Sequence, residues 1–264
     1  MTIGQLDSTG RHAASRHARH ALSKVPEVTV YFWITKVLTT GMGEACSDFL
    51  SHAFGPVPAV GLSGLVLAGV LWVQFRAPRY KASIYWTAVA MVSVFGTMAA
   101  DVLHVGLHIP YGVSTAFYLV VLLTVFALWN TSEKTLSIHS IHTPRREAFY
   151  WMTVMATFAL GTAAGDLTAT TLGLGYFSSG VMFAVFFAIP GLLYRSRMLG
   201  SVMAFWLSYI ITRPLGASFA DWMAVSHARG GLNMGLGPVT VAWLIAILGF
   251  VAYLAVSRRD VQTQ

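Results

Sequence analysis

The chain has 264 residues, of which 56% are hydrophobic and only 10% are charged. Because a soluble domain carries about 25% charged residues, this composition excludes an ordinary soluble protein. The single cysteine, Cys46, excludes an internal disulfide and a zinc site made of four thiolates. The formal net charge of +7 does not indicate a nucleic-acid partner, because the basic residues lie in short segments between apolar runs.

The first 25 residues differ in composition from the rest. Residues 1–25 are rich in Ser, His, Arg and Ala, and they lack the apolar core of a cleaved signal peptide. We expect them to form a mobile basic tail in the cytoplasm. From Val28 onward, apolar runs of membrane-spanning length recur. The sequence therefore predicts one transmembrane domain over residues 26–258, with the lipid bilayer as its partner.

One pattern occurs four times with constant spacing: a Trp, nine residues, a Gly, four residues and an Asp. The copies are Trp33–Gly43–Asp48, Trp86–Gly96–Asp101, Trp151–Gly161–Asp166 and Trp206–Gly216–Asp221. Trp and Asp are scarce in this chain, so four in-phase copies indicate an internal repeat. We place the repeats at residues 26–80, 81–135, 146–198 and 199–258.

Each repeat is expected to contain two helices, an A helix that carries the Trp–Gly–Asp pattern and an almost wholly apolar B helix. The A helices are predicted near residues 28–52, 84–107, 148–170 and 200–225. The B helices are predicted near residues 57–75, 112–129, 174–194 and 237–256. Gly and Pro mark the turns between them, and a cytoplasmic loop is expected over residues 130–147. The fold class is therefore all-α, a polytopic membrane protein with eight transmembrane helices.

Basic residues mark one side of the predicted membrane domain. They lie in both terminal segments and in the B-to-A connections, whereas the A-to-B turns carry only Arg229. The positive-inside rule then places both termini and all B-to-A connections in the cytoplasm. Since two spans return the chain to its starting side, the repeats share one orientation. They should be related by a pseudo-symmetry axis along the membrane normal, with the four Asp residues at one depth.

Small residues recur beside the repeat glycines. The pairs are Gly43 with Ser47, Gly96 with Ala100, Gly161 with Gly165, and Gly216 with Ala220. Such spacing lets helix backbones approach closely in lipid. We therefore expect the A helices to form an inner bundle and the B helices to face lipid.

The four Asp residues and Glu44 lie within predicted spans, where ionisable groups are costly and normally face a cavity. Together with Thr97 and Thr162, which share helix faces with the Asp residues, they form a candidate ion-binding layer of oxygen atoms. This layer comprises Glu44, Asp48, Asp101, Asp166, Asp221, Thr97 and Thr162. A structural alternative is that each Asp caps the B helix of its own repeat.

Four further residues are candidates near this layer. His52 follows Asp48 by four residues and His104 follows Asp101 by three, so each is a candidate metal ligand. Arg213 is a candidate charge-balancing or gating residue. Lys36 has the same candidate role, with snorkelling to the cytoplasmic interface as its alternative.

Carboxylate and hydroxyl oxygens suit hard divalent ions, and added imidazole favours transition metals. The leading hypothesis is therefore a transporter or exporter of cations, with a divalent metal ion as substrate and protons as a candidate counter-ion. We find no nucleotide-binding loop or catalytic motif, so we expect neither enzymatic activity nor an organic cofactor.

One alternative is a non-transporting assembly or metal-sensing protein, whose Asp layer is structural and whose contact surface is loop 130–147. A weaker one is a haem or quinone redox protein.

The repeat pattern resembles a known family. The segments GEACSD, GTMAAD, GTAAGD and GASFAD, the four Trp residues and the stretch ITRPLGASFAD are similar to bacterial membrane proteins built from four tandem copies of the repeat of unknown function number 347. The likeness extends from about Lys24 to Asp260. It implies a location in the bacterial cytoplasmic membrane and no specific activity.

Overall fold

The structure, a computed structural model, describes residues 23–261. The predicted tail 1–25 therefore lies almost wholly outside the described residues. Within the described range the chain is all-helical and contains no strand. The α-helices are α1 (Val30–Phe54), α2 (Pro56–Arg76), α3 (Ala82–Asp101), α4 (Tyr111–Glu133), α5 (Pro144–Asp166), α6 (Tyr176–Arg195), α7 (Ser201–Ala224) and α8 (Leu236–Ser257).

These helices confirm the predicted order of alternating A and B helices. The A helices are α1, α3, α5 and α7, and the B helices are α2, α4, α6 and α8. Two A helices end differently from expectation, because π-helical turns at Val102–Gly106 and Leu167–Thr171 follow α3 and α5. The segment between α4 and α5 is also shorter than the predicted loop 130–147. Helix α5 already begins at Pro144, where the Thr143 side chain accepts from the backbone N–H of Arg146.

The A helices close into a ring. Helix α1 packs against α3 and α7, and α5 packs against the same two neighbours from the opposite side. Each B helix then covers the A helix of the following repeat: α2 packs on α3, α4 on α5, α6 on α7, and α8 on α1. The first and last repeats therefore contact each other in the same way as consecutive repeats do.

The repeat glycines explain how closely the ring packs. A Cβ atom on Gly43 would lie 1.8 Å from Ser93 Oγ, and one on Gly216 would lie 1.9 Å from Thr40 Oγ1. The other two contacts have the same form: Gly96 faces Phe158, and Gly161 faces Arg213. Each facing residue lies seven positions after the Trp of the next repeat. Close approach at small residues, predicted from the sequence, is confirmed at all four interfaces.

The B helices form the outer layer, as predicted. In the 18-residue apolar stretches of α2, α4, α6 and α8, only 17–22% of the residues are buried. The corresponding share is 56% in the stretch that includes α3. These five helices are long and apolar enough to cross a membrane. The exposed apolar surface of the outer helices is what a membrane protein presents to lipid.

An aromatic layer closes the end of the ring that carries the repeat tryptophans, here named the Trp end. Trp86, Trp151 and Trp206 are buried. The residue before each repeat Trp is also a buried aromatic: Phe32, Tyr85, Tyr150 and Phe205. An aromatic residue followed by Trp is thus a further constant feature of the repeat. Three of the four repeat tryptophans are therefore core residues.

Both ends of the described chain are attached to the Trp end. The Lys24 ammonium contacts the Glu147 carboxylate at 2.7 Å, and Gln74 donates to the same carboxylate at 3.0 Å. At the other terminus, the Tyr80 hydroxyl donates to Asp260. Burial raises the pKa of the Asp260 carboxyl, although this hydrogen bond acts in the opposite direction. Sequence reasoning missed both attachments.

Candidate cation site at the Asp end

The interior of the ring is a stack of layers contributed by equivalent repeat positions. Seven residues after the Trp, the layer contains Thr40, Ser93, Phe158 and Arg213, all without exposed surface. Eleven residues after the Trp, it contains Glu44, Thr97, Thr162 and Ala217, which are exposed by 5% or less. The Asp layer comes next, and three of its four residues are partly exposed. Solvent access therefore increases toward this end of the ring, here named the Asp end.

Arg213 connects all four A helices. Its backbone lies on α7, and its Cβ and Cγ pass over Gly161 of α5, where any side chain would obstruct them. One guanidinium nitrogen, which carries two hydrogens, lies within hydrogen-bond distance of the side-chain oxygens of Glu44 on α1, of Thr97 on α3 and, at 2.7 Å, of Thr162 on α5. The other terminal nitrogen donates to the backbone oxygen of Thr40 at 3.3 Å. Charge balance by Arg213, one of the predicted roles, thus has a specific partner in Glu44.

The Lys36 side chain is buried inside the ring, whereas snorkelling would bring its ammonium to the cytoplasmic interface. It is 1% exposed, and its Nζ atom lies 3.9 Å from the Phe158 ring centroid and 4.2 Å from that of Tyr209. Within the described part of the chain, Nζ has no hydrogen-bond partner. The side chain is held by two aromatic faces inside the ring, so the snorkelling interpretation is wrong.

The Asp end brings the acids together as two groups, each with ligand atoms within 4.8 Å of one another. The first, here called the Asp–His cluster, consists of Asp101, His104 and Asp166. Nε2 of His104 lies 3.0 Å from Asp101 Oδ1 and 3.6 Å from Asp166 Oδ2. Repeats two and three therefore contribute one pair of Asp residues to a mixed carboxylate and imidazole site.

The second group, here called the Glu cluster, consists of Glu44, Asp48 and Asp221. It joins repeats one and four and contains only oxygen ligands. Glu44 also forms the ion pair with Arg213, so one member of this cluster already has a cationic partner. The four Asp residues thus divide between two clusters.

Two sequence-based interpretations are not supported by the structure. His52 is exposed, its Nδ1 lies 2.7 Å from the backbone oxygen of Asp48, and it belongs to neither cluster. The Asp residues also do not cap the B helices of their own repeats. No side-chain hydrogen bond caps the N-terminus of α2, α4, α6 or α8. Three of these helices begin directly after a Gly with positive φ: Gly55, Gly175 and Gly235.

The charges at this end do not balance. Five carboxylates lie in the two clusters, and one of them, Glu44, forms an ion pair with Arg213. Arg229, at the exposed rim, donates to the Tyr176 hydroxyl at 2.6 Å and forms no ion pair within 4.0 Å among the described residues. A surplus of partly buried carboxylates is stabilised by bound cations, by protons or by water. Chemically, the arrangement can therefore hold a cation among carboxylates that solvent partly reaches.

The match to known proteins follows the same repeats. The family described as Repeat of Unknown Function (DUF347) matches residues 31–80, 84–135, 149–198 and 204–260. The chain belongs to the DUF347 family. Its four DUF347 matches agree with the repeats found from the Trp–Gly–Asp spacing and with the four A–B helix pairs. No curated protein and no solved structure matches the chain.

Proposed function

We propose that this DUF347 protein transports cations, with a divalent metal ion as substrate, through the Asp end of the ring. The observation that carries the proposal is the surplus of carboxylates in the Asp–His and Glu clusters. Ionisable groups within membrane-spanning helices are costly and mark ion pathways. A purely structural protein gains little from carboxylates that cap no helix.

The layered interior supports a path rather than a surface site. From the Asp layer, the next layer inward contains Glu44, Thr97 and Thr162, whose side-chain oxygens all contact the same guanidinium nitrogen of Arg213. A substrate cation that reached Glu44 would compete with the guanidinium for the same oxygens. Arg213 would therefore act as a tethered counter-cation that closes the path when no substrate is bound.

We further propose that all eight helices span the bacterial cytoplasmic membrane, with the pseudo-symmetry axis along the membrane normal. The basic B-to-A connections at Arg76, Arg145 and Arg195 then lie in the cytoplasm, as the positive-inside rule requires. In this orientation the Trp end faces the cytoplasm and the Asp end faces outward. Cysteine substitutions at exposed Arg197 and Ser226 test this orientation. The Ser226→Cys thiol should react with an impermeant reagent added outside cells, and the Arg197→Cys thiol should not.

Transport is tested with purified protein in proteoliposomes that contain a metal-sensitive dye. We expect influx of a divalent cation, and we expect Asp101→Asn, Asp166→Asn and Glu44→Gln each to lower the initial rate at least about tenfold, because each removes a carboxylate from the path. Empty liposomes and the Arg229→Met variant are the controls. Wild-type rates in all three carboxylate variants would reject the proposal.

One observation favours the alternative of an assembly or sensing protein. A cavity of about 530 Å³ lies at the Trp end, between α1, α6 and α7, and is also lined by Leu136, Ser137 and Ile138 of the α4–α5 connection. If a partner binds there, cells that carry Ser137→Trp should behave like cells that lack the protein. Metal flux in proteoliposomes should stay normal. Loss of flux together with the phenotype would favour transport.

A further inference from the structure

The Asp–His cluster contains a buried imidazole that a layer of carboxylates does not explain. The His104 side chain is only 2% exposed, whereas those of Asp101 and Asp166 are 27% and 19% exposed. Its ring packs against Tyr111, with centroids 4.6 Å apart. The imidazole is therefore fixed in place behind two carboxylates that water can reach.

The hydrogen bonds of Ser114 determine which nitrogen of this imidazole carries the hydrogen. The Ser114 hydroxyl donates its one hydrogen to the backbone oxygen of Tyr111 at 3.1 Å. Its contact with Nδ1 of His104 at 3.4 Å must then use Nδ1–H as the donor. In the neutral imidazole, Nε2 consequently presents a lone pair to two carboxylates. A cation between the three groups removes the repulsion between this lone pair and the carboxylates. The contact from Nδ1–H to Ser114 also fits a metal ligand, since ligating histidines commonly donate their second N–H to such an outer partner.

The backbone distinguishes this cluster from the equivalent positions in the other repeats. A π-helical turn begins directly after Asp101 and another directly after Asp166. After Asp48 and Asp221, by contrast, α1 and α7 continue as regular α-helices. The first π-turn also carries His104. Single π-helical turns are rare overall, and those that occur often lie at functional sites.

We propose that Asp101, His104 and Asp166 form a binding site for a divalent transition metal such as Mn, Fe, Co or Zn. This inference rests on the proposed function and specifies the substrate class of that same site. Imidazole ligands shift preference from Mg and Ca toward transition metals. Metal–ligand bonds of about 2.0–2.2 Å place neighbouring tetrahedral ligands roughly 3.3–3.6 Å apart. The separations of 3.0 and 3.6 Å between His104 and the carboxylates need only small adjustments.

Three protein ligands leave the remaining coordination positions to water. Such an incomplete shell suits a substrate that must leave again, since closed four-ligand sites are typical of structural metals. The charge of a divalent ion also balances the two carboxylates. The Glu cluster offers no imidazole, and Glu44 is already paired with Arg213.

The test measures Co²⁺ binding to the full-length protein in detergent, by calorimetry and by the visible absorption of the bound ion. We expect the wild type to bind Co²⁺ at least about 100-fold more tightly than Mg²⁺ or Ca²⁺. His104→Gln should weaken Co²⁺ binding about 100-fold and change the absorption band. Ser114→Ala, which removes only the outer partner, should weaken it about tenfold. The matched control is His52→Gln, because His52 is exposed and outside both clusters.

Three results overturn the inference: no Co²⁺ binding by folded wild-type protein, equal affinity for Mg²⁺, or wild-type Co²⁺ binding in both His104→Gln and Ser114→Ala. The first is expected if the imidazole is instead protonated between the carboxylates. Flux assays separate this inference from the proposed function. Co²⁺ binding that depends on His104 without any flux would reject transport alone. Flux of Mg²⁺ or Ca²⁺ that does not depend on His104 would reject the transition-metal class alone.

Discussion

At the residue scale, Arg213 is a buried cation inside the ring, and such an environment is energetically costly. Its side chain is fully buried and its cationic group depends on Glu44 for charge balance. Removing one member of a buried ion pair leaves the other charged and desolvated, which costs about 3–5 kcal/mol. Replacing both members by neutral groups costs much less. Stability should therefore depend on the pair and not on either residue alone.

A double-mutant cycle at Arg213 and Glu44 measures this dependence. We expect Arg213→Met to lower the free energy of unfolding in detergent by about 3–5 kcal/mol, and Arg213→Met combined with Glu44→Gln to restore at least about 1.5 kcal/mol. The control is Arg229→Met, which alters an exposed arginine and should cost less than about 1 kcal/mol. Additive effects of the Arg213 and Glu44 substitutions would show that the pair has no energetic coupling.

Lys24 provides a second prediction at this scale. Its ammonium is bound by Glu147 and by the backbone oxygen of Phe75, so the peptide bond after it should resist trypsin. Glu147→Ala removes the carboxylate, and we expect cleavage after Lys24 to accelerate at least about tenfold, because the attachment opens more often. Mass spectrometry follows this cut relative to cleavage after Arg197 in the exposed α6–α7 turn. An unchanged ratio would mean that Glu147 does not hold the segment.

At the scale of helices, the four glycine contacts set the distance between neighbours in the ring. We expect Gly43→Ala to lower the free energy of unfolding by about 1–3 kcal/mol, because its Cβ would overlap Ser93, including a backbone carbon only 2.9 Å away. Thermal unfolding in detergent measures the loss. Gly191→Ala, in the outer helix α6, meets no atom within 4 Å and should be neutral or up to about 1 kcal/mol stabilising. Equal effects of the two substitutions would contradict close packing at the ring.

Helix positions were largely predictable, whereas their irregular ends were not. The spacing from Trp to Asp is local, so the A helices and their inward faces follow from helical periodicity. The π-turns after Asp101 and Asp166 have no such local signature. Only the tertiary structure reveals them. His104 and His52 consequently looked equivalent in the sequence, although only His104 reaches the neighbouring repeat.

At the scale of the whole molecule, the ring has no unique first repeat. The backbone N–H of Glu27 donates to the backbone oxygen of Asp260 at 2.9 Å, so the ends of the described chain lie side by side. A circular permutant that joins Gln264 to Met1 and opens between Arg197 and Met198 should therefore fold, since the new ends lie in an exposed turn. We expect its melting temperature to lie within about 4 °C of the wild type, which corresponds to roughly 1 kcal/mol.

The matched comparison for the permutant is a chain that lacks residues 199–257. It removes α7 and α8, and thus the A helix that carries Arg213 and the B helix that covers α1. We expect this three-repeat chain to aggregate in size-exclusion chromatography, because the ring stays open and Glu44 loses its partner. A monodisperse three-repeat protein of wild-type stability would contradict a closed ring.

The sequence by itself determined the four repeats, their eight helices, the inner position of the A helices and the concentration of acids at one end. These features depend on composition and on spacing along single helices. Only the tertiary structure decided which Asp residues meet, that Arg213 pairs with Glu44, and that Lys36 lies between aromatic rings. Such pairings depend on how far each helix is rotated and displaced relative to its neighbours. Packing between residues far apart in the sequence sets that rotation, and no local spacing encodes it.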